Sequence, residues 1–253
     1  MFKLIKYEYR KDIVSYIVVA SVMLVLEAYL AFSLLIKSNT NVAIATMLFM
    51  MCGWAVIMFI MIMGVVSFSR ELNSRSSYMT FMTPNSAFKI VGAKYITLLF
   101  TTLLVTSLFG LFGYIDIQIA MAQYNNVKNM KEMVDMILSL ADTSLSGIFA
   151  SVAAMVVNIW ISIFTTVSMA YFAVTLSCTI LANKKGKGWL AFAFFIAIRI
   201  ILSVISNFLP SFDFGYEVWQ VIFGQWPLLL LEFLIVIGTY FGVSNLLDKK
   251  VSL

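Results

Sequence analysis

Long apolar runs alternate with short polar stretches along this chain. Six of the runs reach or exceed the roughly 20 residues that a helix needs to cross a hydrocarbon core of about 30 Å. They cover residues 13–36, 43–67, 95–117, 147–182, 189–208 and 226–247. Lipid offers a backbone N–H or C=O no water to bind, so each run is predicted to be a helix that pairs its own backbone. The fourth run is too long for a plain span, since its 36 residues would reach about 54 Å as a helix. It must tilt, break or continue into the cytoplasm. Asn158 and the series Ser162, Thr165, Thr166, Ser168 mark where it is expected to make polar contact with neighbouring helices, or to bend.

The segments between the runs carry patterns of their own. "MFKLIKYEYRKDI" sets Phe2, Ile5, Tyr9 and Ile13 at helical spacing, with Lys3, Lys6 and Arg10 on the other side. That pattern predicts a helix lying in the inner headgroup region before the chain turns up into the membrane. Residues 124–142 put Val127, Met130, Val134, Ile137, Leu138 and Ala141 on one face, the pattern of an amphipathic helix on the outer surface. Residues 209–227 combine two prolines and two glycines with many aromatics, and read as an interfacial or re-entrant hairpin anchored by Trp219 and Trp226. The expected architecture is an all-α polytopic membrane protein, a single membrane domain over residues 1–253.

Composition agrees: 62% of the 253 residues are hydrophobic and 11% charged, against about 25% charged in a soluble domain. The first run carries Glu27 and ends at Lys37 without a small-residue cleavage site, so it reads as a retained span. Cys52 and Cys178 lie within apolar runs and read as small buried hydrophobes. Lys and Arg concentrate on the cytoplasmic side of short loops, and 13 of the 17 fall in the N-terminal tail, residues 70–94, residues 184–187 and the C-terminal tail. Both termini are therefore expected in the cytoplasm. The net charge of +5 then reports topology and contact with anionic membrane lipid, not nucleic acid.

The chain contains no histidine, which removes His-based zinc sites and Ser/His/Asp or Cys/His catalysis. No G-x-x-x-x-G-K-[ST] phosphate loop occurs; "NKKGKGW" at 183–189 lacks both the spacing and the Ser/Thr. The chain is thus expected to bind no cofactor and catalyse nothing by itself. Three ions are assigned to the spans: Glu27, Arg199 and Glu232. Intramembrane charge is costly and calls for a function or a partner. Either Glu27 or Glu232 locks Arg199 across helices, or these charges contact substrate or gate it, or they are tolerated facing lipid. Met47, Met50, Met51, Met58, Met61 and Met63 crowd the second run, as plain apolar filler or as a pliant wall for greasy ligands.

One polar island remains, residues 69–94, "SRELNSRSSYMTFMTPNSAFKIVGAK". Ser69 or Asn73 can cap a short helix whose Leu72, Tyr78, Met79, Phe81 and Met82 present an apolar knob, and Pro84 ends it. Arg70-Glu71, the helix, Pro84-Asn85-Ser86, then Lys89 and Gly92-Ala93-Lys94 follow in an order that resembles the membrane subunits of type-2 ABC exporters. "LIKYEYRKD" and "NLLDKKVSL" are similar to that family's two ends, so the resemblance covers the whole chain. It implies a coupling helix seated in a cleft of a separate ATP-binding subunit, which holds ATP and Mg. Tyr78 and Phe81 would be the buried contacts, with Arg75 and Glu71 as flanking ion-pair partners. It also implies a plasma-membrane assembly with a second permease, identical or homologous.

The apolar spans and aromatic outer segments suit an amphipathic peptide, a lipid-like molecule or a hydrophobic antibiotic. Peptide export comes first, because the family includes export and immunity pumps for antimicrobial and cytolytic peptides. The other reading of the island is an interfacial loop that binds lipid headgroups. The alternative for the chain is a polytopic sensor or assembly partner that binds peptide or lipid without moving it. A secondary transporter fits less well, since inverted repeats with broken helices are not evident.

Overall fold

A computed structural model describes residues 2–36, 39–73, 86–123, 145–180, 186–212 and 218–251. Every regular element in them is a helix: α1 Phe2–Ile36, α2 Asn39–Asn73, α3 Ala87–Gln123, α4 Leu145–Ile180, α5 Lys187–Phe208, the short α6 Val218–Gly224 and α7 Trp226–Val251. Six of the seven are long and apolar enough to cross a membrane. This is the expected all-α, multi-pass class. Residues 124–142, expected as an outer helix, and residues 74–85, the centre of the expected cytoplasmic island, lie outside the described residues.

Helix lengths depart from expectation. Between Phe2 and Ile36 the chain has neither glycine nor proline, the usual causes of a sharp bend, and α1 runs unbroken for 35 residues. The expected turn from an interfacial helix into the first span is absent. α4 likewise runs for all of its 36 residues, so the fourth run does not break at its Ser/Thr series. Thr165 and Thr166 donate instead to the carbonyls of Ile161 and Ser162 within the helix, each at 2.8 Å. α2 extends to Asn73 and α3 begins at Ala87, which draws Ser69 to Asn73 and Ala87 to Lys94 out of the expected loop and into helices. Asn73 is thus the last residue of α2, and Ser69 lies inside it.

The chain divides into two compact units, to both of which α2 and α3 contribute. One comprises residues 2–60 and 96–143. Its packing centres on Leu30 and Leu34 of α1 and Ala45 of α2, joined by Phe49, Ile119 and Ala120. Phe49 meets Phe109 with ring centroids 5.1 Å apart. The Tyr9 hydroxyl lies 3.3 Å from the Thr97 carbonyl and 3.2 Å from Thr101 Oγ1, so the start of α1 packs against α3.

The other unit comprises residues 61–95 and 144–253. Its core is the half of α4 from Ile163 to Ser177, with Phe68 of α2, Val91 of α3 and Val243 and Leu247 of α7. α4 packs on α5, α6 and α7. Against α7 the approach is close, since a Cβ on Gly242 would sit 3.1 Å from the Phe172 ring. Gly186 precedes α5 at φ 110°, a left-handed conformation that suits glycine, and Ser177 donates to the Lys187 carbonyl just beyond it. Between α5 and α7 the chain folds back, the Phe212 N–H donating to the Gly224 carbonyl at 2.9 Å and Phe212 stacking on Trp226. Pro227, in the first turn of α7, occupies a position where a missing N–H costs no helix bond.

Candidate functional site

Two features of the second unit carry chemistry, an ionic anchor and a cavity. The anchor gathers where α2 leaves and α3 enters the described chain. Lys94 Nζ lies 2.7 Å from Glu71 Oε2, with side-chain exposures of 3% and 13%. The ammonium also stands 6.0 Å from the centroid of the Phe68 ring, within cation–π range. Glu71, expected as an ion-pair partner for another subunit, therefore spends its charge on this chain, and Lys94, expected in a loop, is buried in α3.

Around this pair the tyrosines form a satisfied network. Tyr171 packs against Phe68 at 4.4 Å and its hydroxyl reaches the Gly64 carbonyl. Tyr95 meets Tyr171 and Tyr240 edge-on and donates to Ser168 Oγ at 2.9 Å. Tyr240 of α7 donates to the Phe88 carbonyl at 3.0 Å. At the first turn of α3 Asp248 Oδ1 accepts the Ala87 N–H at 3.2 Å, while the Ser86 carbonyl accepts from Lys89 and Ile90. A carboxylate there satisfies a free N–H and meets the positive end of the helix dipole. The ends of α2, α3 and α7 are thus fastened to one another and, through Tyr95 and Tyr171, to α4.

Of the residues expected to couple to an ATPase, Arg70 is exposed on the last turns of α2 and Glu71 lies in the anchor. Arg75, Tyr78, Met79, Phe81, Met82 and Pro84 lie outside the described residues.

The cavity lies between α4, α5 and α7, with a volume of about 490 Å³. Arg199, Ser203 and Ser206 line it from one face of α5, at i, i+4 and i+7, and Glu232 enters from α7. Thr165 and Met169 of α4 and the apolar side chains Phe195, Ile196, Leu228, Leu231 and Ile235 supply most of the remaining wall. The Arg199 charge acts on the Glu232 carboxyl. Ser206 donates to the Ser203 carbonyl at 2.9 Å, and Thr165 to its own helix, so the polar groups left to a ligand are Arg199, Glu232 and the Ser203 hydroxyl. Among the described residues none forms a contact ion pair or hydrogen bond with Arg199.

Glu27, the other carboxylate weighed as a partner for Arg199, comes instead under the charge of a second acid. It is 8% exposed, its Oε2 accepts no hydrogen bond among the described residues, and the charge that acts on it is Asp116 of α3. Asp116 Oδ1 is likewise buried without a partner. Asp116, which is not among the three ions that the sequence assigns to the spans, lies inside a helix long enough to span. The signal was present, since its position falls one residue before the end of the third apolar run. Asn158 sits two turns before Thr165 along α4 and does not line the cavity. Met47, Met50, Met51 and Met58 are exposed and none of them lines it either. Cys52 and Cys178 are free thiols. Among the described residues no cluster of three or more metal-ligating side chains occurs. No family model, curated protein or solved structure matches the chain.

Proposed function

We propose that this chain is the membrane-spanning, non-catalytic subunit of an ATP-driven exporter of the type-2 ABC kind, in the plasma membrane with both termini in the cytoplasm. It pairs with a second permease, identical or homologous, and with an ATP-binding subunit that holds ATP and Mg. Its cargo is a hydrophobic or amphipathic molecule of the peptide, toxin, antibiotic or lipid-like type, with the outer chain between α5 and α7 re-entrant. Residues 70–84 are the handle that the ATPase moves.

The observation that carries this reading is the buried Glu71–Lys94 pair. An external ATPase drives spans only if the segment it grips is stiffly joined to them. A loop on slack helix ends would absorb the stroke. Here the two helices flanking residues 74–85 are clamped to each other by a charge pair that is costly to separate, and the Tyr95–Ser168 and Tyr240–Phe88 bonds carry that clamp to α4 and α7.

The test is co-expression with the ATPase encoded beside this chain, followed by co-purification and assay of ATP turnover. Tyr78→Ala and Phe81→Ala are each expected to weaken the complex about tenfold or more, as truncation of a buried aromatic contact does. A stable complex that ignores both substitutions removes the handle from residues 70–84. A chain that binds cargo without recruiting any ATPase is instead a sensor or an assembly partner.

A further inference from the structure

We propose that the cavity between α4, α5 and α7 binds a single-chain, lipid-like amphiphile with a zwitterionic headgroup, its anionic group on Arg199 and its amine on Glu232. This names the cargo class of the proposed exporter and rests on that reading for transport, though binding itself does not depend on it.

Arg199 is the thirteenth residue of the 22-residue α5, close to mid-span, where a bare guanidinium is disfavoured and an arriving anion is held strongly. Its fork matches a phosphate or carboxylate through paired N–H donors, and Ser203, one turn on, adds a hydroxyl donor. Glu232 decides the second half of the headgroup. With Glu232 lining the same space, an anion alone would meet a carboxylate as well as the guanidinium. A headgroup that adds an amine offers each side chain its opposite charge. The volume of about 490 Å³ falls within the range of about 300–1,000 Å³ typical of sites for one drug-sized molecule, which favours one chain over two. Beyond the charges and the hydroxyls of Ser203, Ser206 and Thr165 the lining is apolar, and α5 carries no fully buried residue, so one wall of the cavity is a helix with little protein around it. A ligand dissolved in the hydrocarbon can reach it from the side.

The experiment is native mass spectrometry of the purified chain released from maltoside micelles, titrated with lauroyl lysophosphatidylethanolamine (zwitterionic) and lauroyl lysophosphatidylglycerol (anionic). The wild-type chain is expected to bind one lysophosphatidylethanolamine and to prefer it about tenfold. Arg199→Gln should lower that affinity at least tenfold. Glu232→Gln should reverse the preference toward the anionic lipid, a change of specificity that simple misfolding would not give. Asn158→Ala, outside the cavity, should leave both affinities unchanged and shows that the assay reads the site. Equal binding of the two lipids, indifference to Arg199→Gln, or preference for an apolar peptide with free termini overturns the proposal. Binding as expected in a chain that recruits no ATPase sinks the exporter reading and leaves the site. An active, ATPase-coupled complex that binds neither lipid does the reverse.

Discussion

Lys94 and Glu71 show what a single buried pair imposes on its surroundings. Glu71→Gln would leave the Lys94 ammonium at 3% exposure without its counter-charge, and loss of one partner from such a pair costs about 3–5 kcal/mol. Thermal unfolding in detergent should show a large drop for Glu71→Gln and for Lys94→Met. The double replacement Glu71→Leu with Lys94→Leu should regain most of it, because no orphaned charge is left. Glu27 and Asp116 call for the opposite sign. The Asp116 charge acts on Glu27, and each carboxyl keeps one buried oxygen without a hydrogen bond among the described residues, so Glu27→Gln removes a repulsion and provides an amide donor. A rise in Tm of about 2–4 °C is expected, equivalent to about 1 kcal/mol in a chain of this size. A fall would show that Glu27 serves a stabilising contact in the assembled protein.

Among the elements, α3 owes its beginning to a residue near the other end of the chain. Asp248→Ala deletes the acceptor for the Ala87 N–H, a capping loss of about 1 kcal/mol. Hydrogen exchange should accelerate at Ala87 to Ile90 while the centre of α4 stays protected. The helices themselves were legible from hydropathy, because a run of lipid-soluble residues long enough to cross has few alternatives to a helix. Their ends were not. Arg70, Glu71, Lys89 and Lys94 read as loop residues because charge normally marks water, yet Glu71 and Lys94 satisfy one another and let both helices continue. The site was legible by half: Arg199 and Glu232 stand out as charges in apolar runs, but which carboxylate faces the arginine depends on which helices are neighbours. Ser168 makes the polar contact with a neighbouring helix that its Ser/Thr series predicts, whereas Tyr95, Tyr171 and Tyr240 give no warning, since in sequence they pass for ordinary span residues.

For the whole molecule, α4 is the element through which the anchor and the cavity meet. Ser168, which accepts the Tyr95 hydroxyl, is followed directly by Met169 in the cavity wall, and Tyr240, whose ring meets that of Tyr95, lies on the same helix as the cavity-lining Ile235. A displacement of the anchored ends of α2 and α3 therefore has a short, packed route to the space around Arg199. The anchor also has a history within each round of synthesis. The Ala87–Asp248 bond joins residues 161 positions apart, so at about 5–20 residues per second a ribosome needs about 8–32 s between them. During that interval the third helix is already made while its cap is not. Nascent chains, and chains truncated before Asp248, thus hold a third helix whose first N–H still lacks its carboxylate.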